Sequence, residues 1–172
     1  VDLSSQTLVA YEGDRPVYAT LISTGKPGYE TPRGVFKMRE KYISITMNAE
    51  DPVEGFYEVE EVPWVMYYWR SYALHGAFWH RAFGFPRSHG CVNLAPRDAQ
   101  WVFNWSDPQV PEGWHGAYPT EEEPGTWIYI HGETPGQRAR DSSTDQVGEP
   151  RKLGARRLLG VVGRDEAMPK HR

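Results

Sequence analysis

Apolar and polar residues alternate in short stretches along the first third of the chain, with the two-residue period of strands rather than the longer period of helices. LVAYE (8–12) and PVYATLIST (16–24) flank the turn-forming GDR (13–15), which predicts a hairpin. GKPGYETPRG (25–34) is dense in turn formers, and VFKM (35–38) resumes an extended pattern. From 39 to 62 the pattern weakens. MNAEDPVEG (47–55) reads as a loop, and the acidic EVEEV (58–62) as a solvated surface or edge strand.

VPWVMYYW (62–69) is a nearly continuous apolar run, and RSYALHG (70–76) follows it directly. Both read as buried strands. One helix is predicted, over APRDAQWVFNW (95–105). Pro96 suits a first turn, Asp98 complements the helix N-terminus, and Trp101, Val102 and Trp105 mark its apolar face. SDPQVPEGWHGAYPTEEEPG (106–125) is a long polar loop, and TWIYIHG (126–132) a short strand alternating around Ile128 and Ile130. From 133 onward the chain is polar and charged, so residues 133–172 are expected to be a disordered tail. Within it LLGVV (158–162) is too short to build a core, and either docks as a strand or stays loose. The expected fold is mostly β: a compact sandwich or distorted barrel of short mixed strands, with one helix and a single domain over 1–132.

Composition supports many turns and an aromatic interior: 7 Trp, 10 Tyr and 6 Phe accompany 17 Gly and 14 Pro. The net charge of −4 divides unevenly. Residues 1–136 hold 10 Lys+Arg against 18 Asp+Glu, whereas 137–172 hold 9 against 5. An acidic body without a basic stripe argues against nucleic acid as the partner. No apolar run approaches the roughly 20 residues that cross a bilayer. The chain begins at Val1 rather than Met, so it reads as a segment of something longer, with any export signal upstream.

The chemistry concentrates in LHGAFWHRAFGFPRSHGCVNL (74–94), where Cys91, the only cysteine, sits among His75, His80 and His89. A thiol near its usual pKa of about 8.5 is mostly neutral at pH 7, so a cysteine nucleophile needs a base. Gly90 permits tight backbone geometry beside it, and the helix that starts a few residues later brings backbone N–H groups able to stabilise an oxyanion. Two histidines can serve as the base. His89 shares a face with Cys91 in an extended segment, and His75, at the end of a strand, is presented from a distance. The residues alone favour His75 only slightly.

His75-Gly76 followed by Ser88-His89-Gly90-Cys91-Val92-Asn93 resembles the signature of the L,D-transpeptidase (YkuD) catalytic domain. The opening strands, the STG…TPRGVF stretch and VPWVMYYW…YALHG resemble that family too, so the likeness covers roughly 1–132. A spacer of twelve residues separates His75 from Ser88, which is short for the family. The resemblance implies Cys91 as nucleophile and His75 as general base and acid, oriented by the carbonyl of Gly76. It implies that His89, Gly90 and the Cys91 amide line the oxyanion side, and that Ser88 and Asn93 brace the loop. Tyr57 is a candidate pocket cap.

The implied activity is peptidoglycan 3→3 cross-linking. Cys91 would form a thioester with the third residue of a tetrapeptide stem, release D-alanine and pass the acyl group to an amine of a neighbouring stem. No metal or other cofactor is implied. Carbapenem acylation of Cys91 and an extracytoplasmic location are. Oligomeric state is not legible. With water as acceptor the same residues make an L,D-carboxypeptidase, and a non-catalytic glycan- or peptide-binding module is a further alternative. A zinc site from His80, His89 and Cys91 fits no common ligand spacing. Trp79 and Arg87 are candidates to touch substrate; the plain alternatives are a groove wall, shared with Phe83 and Phe85, and a solvated surface charge, as for Arg81. His80 reads as a rim residue, and His115 and His131 as ordinary surface or strand-end histidines.

Overall fold

The computed structural model describes residues 1–51, 54–136 and 157–159. Its strands are β1 (Thr7–Glu12), β2 (Arg15–Ser23), β3 (Gly34–Lys37), β4 (Glu40–Asp51), β5 (Gly55–Trp69), β6 (Tyr72–Gly76), β7 (Val92–Leu94), β8 (Gly116–Ala117), β9 (Trp127–Ile130) and β10 (Arg157–Leu159). The single helix α1 spans Pro96–Trp105. The strands join in the order β3-β9-β10-β1-β2-β7-β6-β5-β4-β8, with β2 shared between two halves. The sheet has two ends and does not close into a barrel. The expected mostly-β fold with one helix after the Cys91 loop is what forms.

The two halves and α1 enclose one core. Leu8, Ala10 and Ile22 meet Met66, Tyr68, Leu74, Val92 and Leu94, with Ile128 and Ile130 from β9 and Val102 and Phe103 from the helix. This burial of apolar surface is the main favourable contribution to folding. Phe36 bridges the halves, its ring 5.3 Å from that of Tyr68.

Two expectations need correcting, the 47–55 loop and the helix face, and two segments gain detail. Residues 47–51 continue β4 rather than forming a loop, and EVEEV belongs to β5, which runs unbroken into the apolar run. In the outer part of this hairpin one face is exposed and the other only half-buried, Met47 and Val59 packing against the Val62, Val65 and Ala73 cluster, and cross-strand pairing holds the rest. The helix buries Ala99, Val102 and Phe103 rather than a face led by Trp101 and Trp105. Those two indoles lie at its flank, where Trp101 stacks on Tyr18 at 4.0 Å. The 106–125 loop contributes the two-residue β8 to the edge of β4. Arg157–Leu159 form β10 between β1 and β9, with the rest of the tail expected to be disordered lying outside the described residues, apart from 133–136.

Lys41 is fully buried, on β4. Its Nζ donates to the carbonyl oxygens of Phe103 (2.5 Å) and Ser106 (2.9 Å) and sits 4.3 Å from the Phe103 ring centroid. Those carbonyls belong to the last turn of α1 and its end, which no further turn satisfies, so the ammonium closes the helix and meets its negative pole.

Candidate active site

β6 and β7 run parallel, with His75 opposite Asn93 and Leu74 opposite Val92. Cys91 precedes β7 by one residue, two before Asn93, so the strand period places it on the His75 side of the sheet. The turn that delivers it is held by Ser88. Its Oγ donates to the Cys91 carbonyl at 2.5 Å and accepts from the Gly90 N–H at 3.0 Å. Gly90 adopts φ 114°, and a Cβ there would meet Tyr72 Cε1 at 2.4 Å, so only glycine fits.

A second turn buttresses the first. Lys26 N–H donates to the Ser88 carbonyl (2.9 Å), and Thr31 Oγ donates to the Gly90 carbonyl (2.8 Å). Arg87 and Ser88 N–H groups both donate to the Thr24 carbonyl, at 2.8 and 3.0 Å. At Gly25 a Cβ would lie 1.9 Å from the Tyr29 carbonyl oxygen, so this close approach also requires glycine.

His75 is buried, 4% exposed, beneath the indole of Trp79, which stacks on it at 5.7 Å. Its Nδ1 lies 3.2 Å from the Gly76 carbonyl oxygen. A carbonyl only accepts, so Nδ1 carries the proton and Nε2 keeps a lone pair. Burial lowers the His75 pKa to about 4, the Gly76 bond opposing it and His80 adding to it. Cys91 packs against the Val62, Val65 and Ala73 cluster, with Sγ 3.9 Å from the Ser71 carbonyl oxygen. Burial pushes its thiol up to about 11, and the Ala73 backbone N–H offsets part of that. The residue is partly accessible, with its sulfur on the cavity wall. Both groups are therefore neutral at pH 7, a thiol and an imidazole rather than a preformed ion pair.

Cys91 and His75 line one cavity of about 600 Å³, together with Ser88, His89, Asn93, Tyr57, Trp79 and Arg87. Of the ten candidates named from sequence, eight thus line it. Gly76 and Gly90 act from behind through backbone groups. The Gly90 N–H is engaged by Ser88, so what this residue supplies is conformation. His89 Nε2–H donates to the Glu54 carboxylate at 2.8 Å, and the ring stacks on Tyr57 at 5.0 Å and takes Tyr29 edge-on at 4.7 Å. Glu54, at the tip of the β4–β5 hairpin, also pairs with Lys26.

Sequence reasoning missed Lys26, Glu54 and Tyr29, which lie in segments read only as turn or loop, with no local signal of their role. It also placed His80 on the rim. His80 lines the cavity, accepting from the Ala82 N–H at Nδ1 (3.2 Å), with Nε2 3.0 Å from the Asn93 amide. Among the described residues no three His, Cys, Asp or Glu side chains gather as metal ligands. Nor is any helix long and apolar enough to cross a membrane.

Residues 1–130 match the YkuD family, described as the L,D-transpeptidase catalytic domain. Among curated proteins no sequence matches. Solved structures do. The Ldtfm-avibactam carbamoyl enzyme is 26% identical, with a TM-score of 0.60 over 77% of this chain and 47% of that one. Enterococcus faecium L,D-transpeptidase is 25% identical, with a TM-score of 0.59 over 76% and 48%. Mycobacterium tuberculosis L,D-transpeptidase 3, in complex with a faropenem-derived adduct, is 26% identical, with a TM-score of 0.53 over 60% and 53%. The chain spans about half the length of these relatives.

Proposed function

The chain belongs to the L,D-transpeptidase catalytic-domain (YkuD) family, and from that premise we propose that it transfers acyl groups between peptidoglycan stem peptides through a Cys91 thioester. One observation carries the reading: a desolvated thiol and an imidazole with Nδ1 committed to the Gly76 carbonyl line the same cavity.

Burial disfavours the Cys91 thiolate, so attack is coupled to proton removal. His75 Nε2 takes the S–H proton as Sγ bonds the carbonyl carbon of the third stem residue, and the Gly76 carbonyl steadies the imidazolium through Nδ1–H. The Cys91 amide, with His89 beside it, faces the oxyanion. As the C–N bond breaks, the imidazolium returns the proton to the departing D-alanine nitrogen. An acceptor amine then attacks the thioester, gives its proton to His75, and the thiol is restored. Ser88 keeps the turn in shape throughout, and Trp79 limits water at the imidazole. Such a substrate places the enzyme outside the cytoplasm.

The test is incubation with a disaccharide-tetrapeptide and mass spectrometry of the products. A cross-linked dimer lacking one D-alanine is expected. Tripeptide alone means that water is the acceptor, and no change in substrate mass refutes acyl transfer. The relatives bound to avibactam and to a faropenem-derived adduct support a parallel expectation. A carbapenem should add its mass to wild-type protein and not to Cys91→Ala.

A further inference from the structure

The cavity holds two permanent cations and one carboxylate. Glu54 is that carboxylate, and it is shared by Lys26 and His89. Arg87 is the other cation. It lines the cavity with Cys91 and His75, and among the described residues no carboxylate lies within ion-pair reach of its guanidinium. That guanidinium is exposed, so it is solvated and open to an anion that enters the cavity. Its influence reaches the opposite groups: His80 is held below the usual histidine range, by burial first and then by the Arg87 charge.

The backbone beneath this side chain is fixed. Arg87 N–H donates to Thr24, the Phe85 carbonyl accepts from Ser23 Oγ at 2.7 Å, and Ser88 follows directly with its bond to the Cys91 carbonyl. The base of the side chain is thus held one residue from the Ser88 turn, and its planar fork suits a carboxylate in two-pronged fashion. Arg87 is exposed, so the pairing has to displace water from the guanidinium, and two parallel charge-assisted bonds are what make that exchange favourable.

We propose that Arg87 determines donor specificity by pairing with a carboxylate of the acyl-donor peptide. This deepens the function proposed above and rests on it. Two carboxylates of a tetrapeptide stem fit this chemistry: the terminal one on the leaving D-alanine, and one on the side chain of the third residue. Either stands within a residue of the scissile carbonyl.

The experiment is a chemical double-mutant cycle. Three tetrapeptide donors are compared: unmodified, amidated at the C-terminus, and amidated on the side-chain carboxyl of the third residue. Each is measured with wild type, Arg87→Met and Arg87→Lys, by kcat and KM. Binding of the same peptides is measured by calorimetry in a Cys91→Ala background with and without Arg87→Met. Arg87→Met should raise KM for the unmodified donor by about 10- to 100-fold with kcat little changed, the magnitude of a lost charge-assisted pair. Arg87→Lys should recover part of it. The amidated donor that has lost the recognised carboxylate should respond to neither substitution, which identifies the carboxylate. Equal responses of all three donors in binding would overturn the inference. If wild type turns over none of them while the binding cycle shows coupling, the acyl-transfer reading fails and the carboxylate site stands.

Discussion

Lys41 and the His75–Cys91 pair show two ways of burying ionisable groups in one small domain. Lys41 loses its water but gains two carbonyl oxygens from the end of α1 and the face of Phe103, so its charge is matched by fixed dipoles. His75 and Cys91 lose theirs without an opposite charge in return, and each keeps its neutral form. The first arrangement locks structure. The second keeps a thiol and an imidazole uncharged on one cavity, which is the state the proposed proton transfer starts from. Desolvation is common to both, and the partner decides whether it serves stability or reactivity.

The contrast is tested most severely at the sulfur. Cys91→Ala should lower acyl transfer by more than about 10⁴-fold and His75→Ala by about 10³-fold, with both proteins folded. Titrating the thiolate by its ultraviolet absorbance should give a wild-type midpoint near 11 that His75→Ala hardly moves. A near-neutral midpoint that rises in His75→Ala would mean a preformed ion pair and would erase the distinction. His89→Ala should cost less than His75→Ala, because His89 is tied to Glu54 and flanked by Tyr57 and Tyr29.

Lys41→Met should act oppositely. It fills similar volume but removes one donor from each of two carbonyls, leaving them to Ser106 Oγ (3.4 Å) and Gln109 Nε2 (2.7 Å), so stability should fall by about 2 kcal/mol in denaturant unfolding, with activity per folded molecule kept. A loss under about 1 kcal/mol would show the helix end satisfied in some other way.

The smallest effect is in pH dependence. Unfolded chains protonate His75 below about 6.5, whereas the native protein resists until about 4. Stability from this group is therefore complete above 6.5 and declines as pH falls to 4, by roughly 3 kcal/mol. Cys91 gives the mirror image, its contribution present below 9 and lost as pH rises toward 11. Urea midpoints across pH 4–7 should fall less steeply for His75→Gln than for wild type. Parallel slopes would mean that His75 is not buried neutral.

Much of this was legible beforehand. The two-residue alternation marks β1, β2 and β9, because each buries one face, and Pro96 and Asp98 announce the start of α1. The SHGC stretch marks the proposed nucleophile because its residue types carry the chemistry themselves. The outer β4–β5 hairpin escaped notice because its inner face is only half-buried, by residues as small or polar as Ala49 and Tyr57 beside Met47 and Val59, and acidic residues alternate with them. Lys41 escaped because a lysine on a strand gives no sign of the carbonyls waiting across the core.

The sequence by itself determined which strands bury which residues, where the helix begins and which groups can do acyl chemistry, since periodicity and side-chain chemistry are local properties. Tertiary structure alone decided that His75 stands beside the β7 strand that follows Cys91, that Lys26 and Glu54 neutralise each other, and that Arg87 is left over. Those outcomes depend on strand register and on burial by residues up to dozens of positions away. The same imidazole or guanidinium can be inert or reactive according to what the fold sets next to it.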